Sequence, residues 1–373
     1  MTVLSNHPIT VIGAGIGGLT AALALARRGA RVVVLERAPV LGEVGAGIQL
    51  SANAVRVLDA LGLGPALEPV ALRNAAVQLN DARGRRVLRM DLLAHRPDAR
   101  FLLIHRPRLI ALLADAAQAA GVTLRLGVEG SAAEEGLCIA ADGLRSAHRA
   151  VLNGPQVPFF TGQTAWRAVI PDPGGPAEAH VFMAPGRHLV SYPLPQGLRN
   201  IVAVEERAAW HEEGWSHPGD PDRLRAAFAE MRGPVPGWLA QVRQTNLWGL
   251  LRHPVAARWH DDRLVLLGDA AHPTLPFLAQ GAGMAIEDAW TLAACLDAIP
   301  DQGAALARYQ ALRQPRVTRI VEAANGNARN YHLGGVKRVG AHAVLRVADR
   351  LAPSVMPGRF DWLYDFDPVA QRP

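Results

Sequence analysis

The pattern of apolar and polar positions alternates short β-branched runs with Ala- and Leu-rich stretches. Ile9-Thr10-Val11-Ile12 reads as a strand buried in a parallel sheet. Leu19 to Arg28 predicts a helix stopped by Gly29. Arg31-Val32-Val33-Val34-Leu35 predicts a second strand ending on Glu36, and Arg263-Leu264-Val265-Leu266-Leu267 another buried one. Gln280 to Ala289 reads as the opening of a long helix. Strand-like runs at Val77-Gln78-Leu79, Val87-Leu88-Arg89-Met90, His188-Leu189-Val190-Ser191-Tyr192 and Asn200-Ile201-Val202-Ala203-Val204 predict a separate sheet. The stretch from Trp210 to Gly237 is polar and partly helical. The tail from Leu333 carries a helix-like stretch ending near Pro353. No internal repeat interrupts this order.

Two turns in the pattern carry chemistry. The first strand runs at once into Gly13-Ala14-Gly15-Ile16-Gly17-Gly18. Gly13 permits the tight turn, Gly15 lets the backbone approach a pyrophosphate, and Gly18 lets helix and strand pack closely. The helix start offers free N–H groups to phosphate. Glu36 stands at the end of the second strand, where a carboxylate accepts hydrogen bonds from adenosine ribose hydroxyls and repels a 2′-phosphate. This unit establishes a dinucleotide without separating NAD from FAD.

The later buried strand runs into Gly268-Asp269-Ala270-Ala271-His272-Pro273, followed by Gln280-Gly281-Ala282-Gly283-Met284 at the helix opening. An acidic side chain after a buried strand suits the ribityl hydroxyls of a flavin. A glycine-rich helix start suits the negative charge of a reduced flavin. A nicotinamide dehydrogenase has no need of this second device.

The chain resembles the single-component FAD-dependent aromatic hydroxylases, the salicylate-hydroxylase-like branch of the p-hydroxybenzoate hydroxylase family. Gly45-Ala46-Gly47-Ile48-Gln49-Leu50 with Asn53-Ala54, His105-Arg106-Pro107-Arg108-Leu109, Ala141-Asp142-Gly143-Leu144-Arg145-Ser146, Thr164-Ala165-Trp166-Arg167, Arg308-Tyr309 and Tyr331-His332 carry the likeness in the family's order. The run from Leu126 to Ile139 is shorter than the family's. The resemblance implies a Rossmann-like α/β FAD-binding domain with a parallel sheet, plus a substrate domain built on a mixed β-sheet and C-terminal helices. The FAD-binding domain is expected in three pieces, 1–72, 101–153 and 261–326. The substrate domain is expected over 73–100 and 154–260, with a C-terminal helical segment at 327–373. The resemblance places FAD against Gly13, Gly15, Ile16, Gly17, Gly18, Glu36, Arg37, Gly47, Arg106, Val128, Asp142, Gly268, Asp269, Gly281, Ala282, Gly283 and Met284.

It also implies a reaction. NADH or NADPH reduces FAD, O₂ gives a flavin C4a-hydroperoxide, and an OH equivalent passes to a small phenolic or heteroaromatic substrate, expected to be carboxylated and salicylate-like. Alternatives of the same fold are an epoxidising or tailoring monooxygenase on a larger substrate and a FAD-binding protein without oxygenase activity. A base that ionises the phenol assists hydroxylation. His188 and Tyr192, four apart in one strand, share a face and are the candidate catalytic and substrate-binding pair. A structural reading, His188 capping a turn and Tyr192 packed in the core, weighs about equally. Pro276 is expected at the flavin's reactive side and Gln49 in the site. Arg73, Arg167 and Arg187 are candidates to clamp a substrate carboxylate. His272 is expected to brace its loop, and Glu287 and Asp288 to engage the first turn of their helix and neighbouring backbone.

Composition narrows the partners. Lys and Arg total 39 against 33 Asp and Glu, a net charge of +6. The basic residues are almost all arginine and are spread out, so the balance favours anionic small molecules over nucleic acid. Two distant cysteines, Cys138 and Cys295, make neither a disulfide framework nor a metal site. No uninterrupted apolar stretch reaches membrane-spanning length. The expectation is a cytoplasmic monomer or homodimer with no metal, membrane or nucleic-acid partner.

Overall fold

A computed structural model describes residues 3–42, 46–131, 136–172, 174–210 and 216–373. Five strands form a wholly parallel sheet in the order Leu264–Leu266, Leu137–Ala140, Pro8–Ile12, Arg31–Glu36, Thr123–Leu126. Its centre is apolar on both faces because helices cover both, which is why its strands read as continuous rather than alternating runs. Val11, Val34, Ile139 and Val265 are each wholly buried. The chain leaves Pro8–Ile12 toward one edge and returns to place Leu137–Ala140 and Leu264–Leu266 on the other side. That reversal is a topological switch point, and parallel pairing brings all five carboxyl ends to one edge of the sheet. Gly13, Glu36, Asp142 and Gly268 therefore meet although they are far apart in sequence.

The helix Ile16–Ala26 starts three residues before the sequence reading and packs against Arg106–Ala119 and Gly281–Ala298. The last of these continues the turn after Leu264–Leu266 and rests on Ala52–Ala60 and Gln302–Tyr331.

The second sheet has eight strands in the order Ser216–Gly219, Thr245–Arg252, Phe159–Pro171, Leu198–Glu206, Arg187–Leu194, Glu178–Ala184, Ala76–Asp81, Arg86–Asp91. It is mixed, since Glu178–Ala184 pairs parallel with Ala76–Asp81 and the other neighbours are antiparallel. One face carries its own core, in which Trp166, Phe182, Leu189 and Ile201 pack on Leu224, Phe228 and Leu239. The other face turns toward the parallel sheet. A small antiparallel sheet, Gly47–Leu50, Leu102–His105 and Ala71–Arg73, lies between the two.

The C-terminal helices close the assembly. Gly335–Leu351 packs on Arg86–Asp91, where Asp349 Oδ1 accepts from the Arg89 amide at 2.8 Å and Arg346 pairs with Asp81 at 2.7 Å. Arg96 holds Asp361 and Asp365, and Arg56 donates to the Tyr364 and Phe366 carbonyls, so the final turns are tied to the end of the short helix Leu92–His95 and to the helix Ala52–Ala60. Among the described residues no helix is long and apolar enough to cross a membrane, and no cluster of His, Cys, Asp and Glu suits a metal ion. Cys138 and Cys295 are buried free thiols.

Candidate active site

The glycines of the first turn divide the work as their spacing predicts. Gly13 has φ +101°, and a Cβ there would lie 2.4 Å from the Ala141 carbonyl oxygen. A Cβ on Gly18 would lie 1.9 Å from the Gly13 carbonyl oxygen, so helix and turn touch backbone to backbone. One on Gly17 would meet Leu267 at 2.7 Å. A Cβ on Gly15 meets nothing within 4 Å, so protein packing does not require this glycine. Ile16 is buried beside it. The helix begins on Gly15 with no side-chain cap, which leaves its first amides for an anion. Glu36 accepts from the amides of Ala14 and Ala38, both at 2.8 Å, and so braces the glycine turn from the next strand. The Val128 amide donates to the Glu36 carbonyl, while Arg37 and Val128 project outward at this end.

At the other side of the switch point, Asp142 Oδ2 pairs with His148 Nδ1 at 2.8 Å, and its Oδ1 is buried with no partner. Arg106 opens its helix with Pro107 in the first turn.

The second turn is built on a buried polar network. Gly268 has φ +64° and presses against Ala285. The Gly268 amide donates to Asp288 Oδ2 at 3.2 Å, and His272 Nε2 meets the same oxygen at 2.5 Å. Arg313 donates to Asp288 Oδ1 at 2.7 Å and lies 2.6 Å from Glu287 Oε2, with all of these side chains fully buried. Arg316 and Asn53 complete Glu287, and Asn53, Gln280 and Ser51 are hydrogen-bonded to one another. His272 is therefore a brace, as expected. Glu287 and Asp288 meet expectation in part: Asp288 accepts from the neighbouring Gly268 amide, but both also face the arginines of Gln302–Tyr331, because that helix packs against them. Burial is the largest influence on each and pushes the carboxyl up, yet Arg313 and Arg316 hold Glu287 below its ordinary range, and His272 followed by Arg313 does the same for Asp288.

What this network leaves open is informative. The helix Gly281–Ala298 begins without a side-chain cap. Gly281 and Ala282 are half-buried, whereas Gly283 and Met284 face inward. Asp269 reaches solvent, yet protein crowds it closely. That desolvation pushes its carboxyl above the usual range, with His272 and Arg106 opposing and Asp288 reinforcing. A crowded carboxylate at an open strand end suits hydroxyl donors. Together with the open space over Gly15, it fits the ribityl chain and pyrophosphate of FAD. The preceding segment, Pro276–Leu278, ends on Ala279 in a left-handed conformation, φ +53°.

Register decides which substrate candidates share a face. His188, Val190 and Tyr192 pair across to Val204, Val202 and Asn200, and these to Ala165, Arg167 and Val169. Arg167, Val190 and Val202 are half-buried at the centre of this face. His188 is fully buried, 4.9 Å from the Phe277 ring and 5.2 Å from the Tyr331 ring. Its Nδ1 meets His332 Nε2 at 2.7 Å, and its Nε2 has no partner. Burial, reinforced by His332, holds its imidazole well below the usual histidine range. Tyr192 packs with Leu103, Ala179 and Leu194 and presses on Gly47, whose Cβ would lie 2.7 Å from the ring. Burial pushes its phenol up, against the influence of Arg167. The Gly47 amide donates to Asn200 Oδ1 at 2.7 Å, so Gly47 joins the small sheet to the large one.

The three arginine candidates separate. Arg187 lies on the opposite face, over the Phe228 ring and bonded to the Ala227 carbonyl. Arg73 is exposed and bonded to the Pro97 and Ala99 carbonyls. Only Arg167 shares the face of His188, with its guanidinium 5.0 Å from the Trp248 ring. Gln49 opens instead into a cavity lined by Ser51, Met90, Arg96, Leu278 and Tyr364, which neither His188 nor Tyr192 lines. His332, Asn200 and Arg313 were not singled out in the sequence as working residues. Their partners lie far away in the chain, and no local spacing marks them.

Comparison with known proteins agrees with this geometry. A family model described as FAD binding domain matches residues 6–137 and 136–324. The chain is 37% identical to 3-amino-4-hydroxybenzoate 2-monooxygenase of Streptomyces platensis over 100% of both chains. It is 35% identical to 3-hydroxybenzoate 6-hydroxylase 1 of Aquipseudomonas alcaligenes over 84% of this chain and 87% of that one. A solved salicylate hydroxylase substrate complex superposes with a TM-score of 0.80 at 24% identity, covering 98% of this chain and 96% of the other.

Proposed function

This chain belongs to the FAD binding domain family and is an FAD-dependent monooxygenase, and from that premise we propose that it hydroxylates a small carboxylated phenol of the hydroxybenzoate or aminohydroxybenzoate kind. The observation that carries this reading is the His188 Nε2 atom. It is buried, unpartnered and next to the segment that leads into the Gly281 helix. An unsatisfied buried nitrogen costs about 1–3 kcal/mol, and such exceptions are commonest where a ligand or reaction uses them.

FAD, when bound along Gly13–Gly18, Asp142, Asp269 and Gly281–Gly283, supplies reduction by NADH or NADPH and the transfer of one oxygen atom from O₂. The protein does the rest. His188 Nε2 accepts the phenol proton, and its depressed basicity keeps it neutral and able to do so at neutral pH. Arg167, alone of the three candidates on this face, receives the substrate carboxylate. Tyr192 bounds the site and fixes its distance from Gly47. Pro276 and Phe277 close the side toward the flavin and exclude water. The two larger sheets act as cofactor and substrate domains, in a monomer or homodimer.

The test is a ligand screen on the FAD-loaded protein. 3-Hydroxybenzoate, 3-amino-4-hydroxybenzoate and salicylate are titrated while flavin absorbance and NADH or NADPH oxidation are followed. At least one is expected to perturb the flavin spectrum and accelerate oxidation tenfold or more, with a hydroxylated product. His188→Asn is expected to keep its FAD and lose hydroxylation about 100-fold. A panel that leaves both spectrum and rate unchanged contradicts the reading.

A further inference from the structure

We propose that His332 and Glu206 form, with His188, a proton relay that carries the substrate's phenolic proton from the buried site to the surface, a reading that rests on the proposed base role of His188.

The relay is continuous in the structure. His188 Nδ1 lies 2.7 Å from His332 Nε2, and His332 Nδ1 lies 2.8 Å from Glu206 Oε1. The two imidazoles are buried, whereas the Glu206 side chain is 56% exposed, so the chain of bonds leads from the interior to water. Three separate elements supply it: the start of Arg187–Leu194, the cap of Gln302–Tyr331 and the end of Leu198–Glu206. One turn locks them together. The Gly186 amide donates to the His332 carbonyl at 3.2 Å, and the Glu206 amide donates to the Gly186 carbonyl at 2.9 Å.

The carboxylate fixes every proton in the chain. An ionised Glu206 only accepts, so His332 carries its proton on Nδ1 and presents a lone pair at Nε2. His188 must then carry its proton on Nδ1 and donate it to His332. This leaves the lone pair of His188 at the unpartnered Nε2, the tautomer a base requires. Phenol ionisation then breaks the substrate O–H bond and forms Nε2–H. The Nδ1 proton of His188 passes to His332 Nε2, and the Nδ1 proton of His332 passes to Glu206 Oε1 and on to water. The products are a phenolate in the site and one proton in solvent, with no change of oxidation state. A direct path would leave an imidazolium among apolar rings, at a high desolvation cost.

The surrounding charges agree with this direction. Burial lowers the basicity of His332 most; Glu206 raises it, and Arg187 opposes Glu206. Tyr331 is the other titratable group against His188, and its phenol is pushed up by burial, so it stays protonated. Glu205 next to the relay is engaged by Arg207 and by Trp166 Nε1.

The test uses FAD-loaded wild type, Glu206→Gln and His332→Gln with 3-amino-4-hydroxybenzoate or 3-hydroxybenzoate. The ultraviolet difference spectrum of the bound ligand gives its phenol pKa, and turnover is measured across pH. Both variants are expected to bind the ligand within about threefold of wild type. Both are expected to slow formation of the bound phenolate, followed in the same difference spectrum after rapid mixing, by about tenfold or more with a matching loss of turnover. Neither is expected to raise the bound phenol's pKa, since a relay sets the rate of proton loss and Glu206→Gln removes an anion. Glu206→Gln, at the surface, covers the case in which His332→Gln fails to fold. An unchanged rate of phenolate formation and unchanged turnover in Glu206→Gln, with FAD content and affinity intact, overturns the relay. A wild type that binds neither ligand overturns the proposed function instead.

Discussion

Gly15 and Gly18 look alike in the sequence and differ in what confines them. Gly18 is forced by the protein itself, with the Gly13 carbonyl oxygen 1.9 Å from where a Cβ would stand. Gly15 is not, because nothing of the protein lies within 4 Å of that position. In the proposed site it is the pyrophosphate that confines it. Gly15→Ala is therefore expected to fold with a melting temperature within about 2 °C of the wild-type apoprotein and to bind FAD at least tenfold more weakly. Gly18→Ala is expected to lower the apoprotein's stability itself. Thermal melts of the two apoproteins and FAD titrations by flavin fluorescence check both. The turn and packing roles of Gly13 and Gly18 were legible because each is a backbone property set by local spacing. The shared face of His188 and Tyr192 was legible for the same reason, from strand alternation. The sequence could not find His332, which lies 144 residues away and meets His188 only through the packing of a helix end against a sheet.

At the scale of elements, the helix Gly281–Ala298 organises the flavin side. Its inward face carries Glu287 and Asp288 into the protein, where Arg313 and Arg316 meet them. Two carboxylates and a guanidinium with no exposure are stable only as a complete set. Arg313→Met removes the shared cation and leaves both carboxylates under-compensated. The expected cost is about 3–5 kcal/mol in urea unfolding, with weakened FAD binding because Asp288 also holds Gly268 and His272. The sequence showed the helix and its glycines. It expected Glu287 and Asp288 at their own first turn and neighbouring backbone, which holds for Asp288 at Gly268, and missed their arginines, because a local pattern contains no information about the helix packed across from them. Strand register had the same limit. Arg73, Arg167 and Arg187 were equal candidates until pairing put Arg167 on the His188 face and Arg187 on the reverse.

At the scale of the whole molecule, two sheets of different construction are held edge to face through a third. The parallel sheet brings four distant motifs to one edge by its strand order, and the eight-stranded sheet presents a half-buried patch with His188 and Arg167 on it. Gly47 and Asn200 tie the small sheet to the eight-stranded one, and the C-terminal turns anchored by Arg96 and Arg56 hold the outside. The fold class was legible because buried parallel strands and glycine turns have strong local signatures. The meeting of the sheets was not, since it depends on single contacts across the chain. In the proposed reaction an oxygen atom from O₂ passes to a substrate ring. The most direct test is turnover of the FAD-loaded protein with NADH or NADPH under ¹⁸O₂, on a hydroxybenzoate that perturbs its flavin, with mass spectrometry of the product. One ¹⁸O atom per hydroxylated product is predicted. Oxidation of the nicotinamide with only hydrogen peroxide formed, or a product whose new oxygen comes from water, would contradict it.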